Sequence, residues 1–150
     1  ESDANWAQMV RNSVPPHVDI LMPEIPLRQK GAGISSHRAG FRHLDFSHYV
    51  SAIDDIPGLF DLIVIDGRAR EACLDAALIR LSPGGMILFD NTNRRRYRAA
   101  LARHRDAISV SSDIGLTPIL MWPSRTSIVR MLPDYAASGD VTLAAESTRS

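Results

Sequence analysis

Phe60-Asp61-Leu62-Ile63-Val64-Ile65-Asp66-Gly67 is the stretch on which the reading of this chain turns. Four consecutive branched apolar residues, Leu62 to Ile65, predict a strand buried on both faces, as in a parallel sheet. Downstream, Arg70 to Leu81 predicts a helix, with Ala72, Cys73, Ala76 and Ala77 as its small-residue face and Glu71 and Asp75 toward water. Pro83-Gly84-Gly85 interrupts the chain, and Met86-Ile87-Leu88-Phe89-Asp90 predicts a second buried strand. Strand and helix thus alternate, and both strands end in a carboxylate followed by a turn, the pattern of an open α/β sheet. Ligands of such sheets bind at the carboxyl ends of strands, where Asp66 and Asp90 stand.

Farther downstream, Asn93 predicts a cap for a helix whose Tyr97, Ala100, Leu101 and His104 fall at i, i+3, i+4 and i+7. Ile108-Ser109-Val110 and Thr126 to Met131, with no helix between them, predict an antiparallel hairpin at a sheet edge. Upstream, Asp3 predicts the cap of a helix presenting Trp6, Met9, Val10 and Val14 on one face, ended by Pro15-Pro16. Val18 to Met22 reads as a short strand, running parallel to the two buried ones. Glu24 to Asp45 is a long polar loop, and Ser47 opens a short helix carrying Tyr49, Val50 and Ile53 inward. Residues 133–150 read as a tail after one domain over 1–132.

Composition narrows the function classes. The 150 residues are 45% hydrophobic and 23% charged, ordinary for a globular domain and unlike a disordered chain. No apolar run reaches the roughly 18 residues of a membrane span. The 17 basic and 17 acidic residues cancel, so no net field favours nucleic acid or an anionic membrane. A single cysteine, Cys73, excludes an internal disulfide and a multi-cysteine zinc site, and makes a reducing, cytoplasmic setting the default expectation.

With Phe60 to Gly67, then a helix, then Leu81-Ser82-Pro83-Gly84-Gly85-Met86-Ile87-Leu88-Phe89-Asp90-Asn91, the chain resembles the fourth and fifth strands of class I S-adenosylmethionine-dependent methyltransferases. Thr126-Ser127-Ile128 after Gly115-Leu116-Thr117-Pro118 is similar to their closing strands. The resemblance implies a Rossmann-like sheet, mostly parallel with an antiparallel C-terminal strand, and methyl transfer from S-adenosylmethionine to a small-molecule acceptor. Glu1-Ser2-Asp3-Ala4-Asn5-Trp6 looks like the end of the second strand, which implies that Glu1 accepts hydrogen bonds from the cofactor's ribose. The family's first strand and glycine-rich loop then lie before Glu1, so the chain is expected to be the C-terminal part of a longer protein. Gly31-Ala32-Gly33 follows no strand directly and reads as loop flexibility rather than as that glycine loop. A homo-oligomer is compatible with this reading.

The site residues follow from the same resemblance. Asp66 is implied as a wall of the transfer and cofactor site, and Asp45-Phe46 as the pair around adenine. Asp66, Asp90 and Asn91 are similar to the set that holds magnesium in catechol-type O-methyltransferases, and three hard oxygen ligands suit that ion. The continuation Gly67-Arg68-Ala69-Arg70 departs from that pattern, which favours a metal-free site where Arg68 supplies the positive charge beside Asp66 and Asp90. Each residue also has a plain structural role open to it: a charged terminus for Glu1, a turn cap for Asp66, a helix start for Asp45. His37, His43 and His48 read as surface histidines, and Cys73 as core. Arg94-Arg95-Arg96 with Arg98 reads as a solvated face, an anionic substrate or an RNA phosphate being the alternative, and Trp122 covers a pocket or simply packs. Two other functions stay open: a degenerate methyltransferase-like interaction domain without transfer, and another Rossmann-like enzyme using a nucleotide.

Overall fold

A computed structural model describes residues 3–116, 123–133 and 135. The chain forms two compact units, one running through Ile56 and taking in Gly67–Ala69, the other comprising Pro57–Asp66 and the residues from Arg70 onward.

The second unit contains the sheet. Its strands are β1 (Phe60–Ile65), β2 (Leu81–Phe89), β3 (Ile108–Leu116) and β4 (Pro123–Met131), in the order β1-β2-β4-β3. β1 and β2 are parallel, and β4 runs antiparallel to both β2 and β3. This is an open α/β sheet with one parallel pair. The slip between Phe60↔Leu81 and Leu62↔Met86 sets residues 82–85 against Asp61, so Pro83-Gly84-Gly85 is a bulge within β2 rather than a turn before it. The Ser82 hydroxyl donates to Asp61 Oδ1 at 2.5 Å across that bulge. Gly84 has a φ of +82°, which a β-carbon would strain, so glycine is needed there.

One face of the sheet is covered by α3 (Arg70–Ile79) and α4 (Arg95–Arg103). Ile65, Ile87, Phe89 and Val129 from the strands meet Leu74, Leu78, Tyr97 and Leu101 in the core. The expectation of a strand buried on both faces is corrected here. β1 lies at the sheet edge, with Ile65 buried but Leu62 53% and Val64 61% exposed. Period-two alternation sends Ile63 and Ile65 to the helix side and their neighbours to the other. A second correction concerns α3, whose buried positions are Arg70, Leu74, Ala77 and Leu78. Leu74 and Leu78 bury more apolar area than the alanines, so they take the core side. Cys73 is half-buried against that core, and burial pushes its thiol up to about 12. α4 packs Tyr97, Ala100 and Leu101 inward as the spacing predicts, but its N-cap is Arg94 rather than Asn93.

In the first unit, α1 (Ala4–Arg11) is capped as expected, the Trp6 amide donating to Asp3 Oδ1 at 3.0 Å. Its expected apolar face is not buried: Trp6 and Met9 are exposed and Ala7 is the buried residue. Val18 to Met22 is not a strand, and Val18, Leu21 and Met22 are exposed. A strand needs a partner ladder, and the one isolated bridge among the described residues joins Leu27 to Leu44 instead. The bonds Arg28 N to His43 O (2.7 Å) and Asp45 N to Pro26 O (2.9 Å) draw the ends of the long polar loop together. α2 (Ser47–Ser51) follows it and buries Val50. Among the described residues, no helix is long and apolar enough to cross a membrane.

Candidate functional site

The carboxyl ends of β1 and β2 come together through one arginine. Arg70, 8% exposed, opens α3 four residues after Asp66. Its Nη2 donates to Asp66 Oδ1 at 2.5 Å and to the Asp66 carbonyl at 2.9 Å. Its Nη1 donates to the Asp90 carbonyl at 2.9 Å and to Asp90 Oδ2 at 3.4 Å. A guanidinium presents donors in a rigid fork, and here the fork spans two adjacent strand ends. Asp90 is also held from β4: Thr126 Oγ1 donates to its Oδ1 at 2.9 Å and Ser124 Oγ lies at 3.4 Å. The Asn91 side-chain Nδ2 donates to Ser124 Oγ at 3.0 Å.

The two carboxyls differ in environment. Asp66 is open, its side chain 65% exposed, whereas that of Asp90 is 29% exposed. Burial pushes the Asp66 carboxyl above the usual range; Arg70 opposes the rise, while the charge and hydrogen bond of Asp90 add to it. Burial pulls Asp90 upward too, but the Thr126 hydroxyl, the Asn91 backbone N–H and Arg70 outweigh it and hold this carboxyl below the usual range. Adjacent acids with pKa values driven apart are suited to proton transfer, Asp66 taking the proton and Asp90 staying ionised. Among the described residues, the non-glycine residues at positive φ are Ala69 (+47°) and Asn91 (+58°), each in the turn after one of these strands. Such conformations cost about 1–2 kcal/mol and cluster where function demands them.

The cation that bridges this pair is Arg70, a residue not among those the resemblance implies. The Arg68 guanidinium stacks over the Phe41 ring, 4.7 Å from its centroid, within the first unit. The i,i+4 spacing of Asp66 and Arg70 was the signal that could have found it. Asn91 turns its amide to Ser124, and among the described residues no group of three or more His, Cys, Asp or Glu side chains could hold a metal.

In the first unit, Asp45 Oδ1 accepts from Ile34 N (3.0 Å), Ser47 N (2.9 Å) and Ser47 Oγ (2.6 Å). The Ser47 hydroxyl and amide, then the Ile34 amide, hold its carboxyl below the usual range. Phe46 is fully buried. Gly33, at a φ of +72°, sits so close to the Asp45 carboxylate that a β-carbon would collide with it. Its role is close approach rather than the flexibility expected of the loop. His37, His43 and His48 are exposed. Glu1 and Trp122 lie outside the described residues.

Of the arginine cluster, Arg96 pairs with Glu71 at 3.2 Å and lies over the Tyr97 ring. Asp75 receives Arg103 at 3.1 Å and His104 at 2.7 Å. Both expected wet-side acids of α3 thus tie it to α4 and its C-cap. Compared with protein-family models, with curated proteins and with solved structures, the chain matches none.

Proposed function

We propose that this chain carries the closing half of a Rossmann-like class I methyltransferase sheet and serves methyl transfer from S-adenosylmethionine to a small-molecule acceptor. The supporting observation is the strand order: β4 returns antiparallel and inserts between β2 and β3, beside a parallel pair ending in Asp66 and Asp90. A reversed closing strand on a parallel sheet is what the methyltransferase resemblance implies. Fold alone does not fix chemistry, so the carboxyl pair carries the rest of the reading.

The residues fit the cofactor in part. Asp66 is open to a ligand, and Asp45 is ionised and fixed by three donors. Phe46, being buried, offers no open ring face to an adenine. When bound, S-adenosylmethionine supplies a methyl group activated by a sulfonium. An acceptor taking that methyl group would be left with a proton to lose. Asp66 then takes the acceptor's proton, Arg70 fixes the carboxyl's position, and Asp90 stays ionised against Arg70 and Thr126. Alignment supplies most of the rate, because an in-line displacement depends on geometry.

The test is a methyl-transfer assay of the protein with methyl-labelled S-adenosylmethionine and a panel of small hydroxyl and amine acceptors. Label should pass to at least one acceptor, and Asp66→Asn should lower that transfer about 100-fold or more. A second reading, a binding domain without transfer, is favoured by the engagement of Arg70 with both carboxyls. Cofactor binding without labelling of any acceptor would select it.

A further inference from the structure

On the other side of β4 from Asp90 lies a cleft of about 360 Å³, between α4 and the β3–β4 hairpin. Side chains of a strand alternate, so Ser124 and Thr126 reach Asp90 while Arg125 and Ser127 face the cleft. Arg98 and Arg105, two turns apart on one side of α4 and its extension, supply two more cations. No carboxylate is among the described residues lining it.

Two features set this cleft apart from a solvated basic face. The first is the state of its cations. Arg70, Arg96 and Arg103 each meet a carboxylate; among the described residues Arg125 meets none, and its buried Nε has no hydrogen-bond acceptor there. A buried donor without an acceptor is costly, and an incoming anion would satisfy it. Among the described residues, the carboxylate that Arg105 reaches is that of Asp106, at 3.6 Å and with both side chains largely exposed. The second is a hydroxyl chain. Ser112 and Ser127, paired across β3 and β4, lie 2.8 Å apart, and Ser127 lies 2.6 Å from Thr92. Thr92 Oγ1 donates to the Arg125 carbonyl at 3.2 Å, a carbonyl that the Thr92 amide also reaches at 2.8 Å. If the three hydroxyls rotate together, Thr92 donates to Ser127, Ser127 to Ser112, and Ser112 points its proton into the cleft. The Arg125 carbonyl keeps the Thr92 amide throughout. The position where an apolar cross-strand pair would extend Val110↔Val129 therefore holds a reversible donor chain instead.

We propose that this cleft binds a small molecule through a phosphate monoester, with Arg125, Arg98 and Arg105 as cationic donors and Ser112 as a neutral one. Guanidinium forks match phosphate oxygens in pairs, and three of them offset a dianion. The volume suits a small ligand. The balance of 17 basic and 17 acidic residues gives no extended field for a nucleic-acid backbone.

Titration calorimetry with phenyl phosphate and inorganic phosphate, against sodium chloride at matched ionic strength, tests this on the intact chain. Both phosphates should give saturable heat and chloride none. Arg125→Gln should weaken binding about tenfold or more, since a charge-assisted bond is lost. Arg130→Gln, which removes an exposed arginine from the same strand, should leave binding unchanged. If Arg125→Gln does not fold, the double variant Arg98→Gln with Arg105→Gln must show the same loss. Unchanged binding in whichever of these variants folds, equal heat with chloride, or tighter binding of a short DNA strand than of phenyl phosphate would each overturn the proposal. None of these results bears on methyl transfer, because Asp66 and Asp90 are untouched.

Discussion

Arg70→Ala removes the fork that joins the ends of β1 and β2, and its cost can be assembled from the contacts. The ion pair to Asp66 is short but water-exposed on the carboxylate side, which limits it to about 1 kcal/mol or less. The 3.4 Å approach to Asp90 adds little. The two strand-end carbonyls lose charged donors, about 1 kcal/mol each. The buried stem, whose guanidinium lies 5.7 Å from the Tyr97 ring centroid, adds about another 1 kcal/mol of packing. The expected loss is about 3 kcal/mol. Followed by circular dichroism in urea, the unfolding midpoint should fall by about 1.5 M for a typical slope. Arg70→Lys should recover less than about half of that, because a point charge cannot reach both strand ends. A change below about 1 kcal/mol for Arg70→Ala would refute the clasp.

Asp66→Asn should stabilise the protein at neutral pH, because the folded state resists ionising this carboxyl, whose pKa is raised. A raised folded pKa means stability is lost as pH climbs from the ordinary aspartate value through the folded one. The advantage of the variant should therefore shrink as pH falls through the carboxylate range, and urea midpoints measured across pH would show it. Asp90 has the opposite sign: its lowered pKa contributes stability above the unfolded value, lost as pH falls through the folded one, so Asp90→Asn should destabilise at neutral pH in the same measurement. Gly33→Ala should cost about 1 kcal/mol or more, from the left-handed φ and the collision with Asp45, and should speed amide exchange at Ile34 and Ser47.

How much of this was legible in the sequence depends on the residue. Leu62 to Ile65 and Met86 to Phe89 were found because a branched apolar run has few alternatives to a strand, and their parallel pairing followed from the helix between them. The exposure of Leu62 and Val64 was not legible, since a run apolar at every position does not say which face is covered. Val18 to Met22 has strand composition but no ladder among the described residues, and pairing is a property of the partner as much as of the segment. At the site, Asp66 and Asp90 were named correctly as neighbours at strand ends. Arg70 was missed in favour of Arg68 because three residues of turn separate it from Asp66, and the direction of that turn is set by Ala69 at positive φ. The Thr92–Ser127–Ser112 chain joins residues 35 and 15 positions apart and left no local signal.

Calorimetric titration of S-adenosylmethionine into the chain, alone and with a strand and D/E-x-G-x-G loop supplied in front of it, tests the methyltransferase reading most directly. The 150 residues include no strand followed by a D/E-x-G-x-G loop, the element that lets backbone approach the methionine part of the cofactor. The predicted result is saturable heat at micromolar cofactor from the extended chain and none from the chain alone. Absence of binding by the folded extended chain, or tight binding by the chain alone, would contradict it.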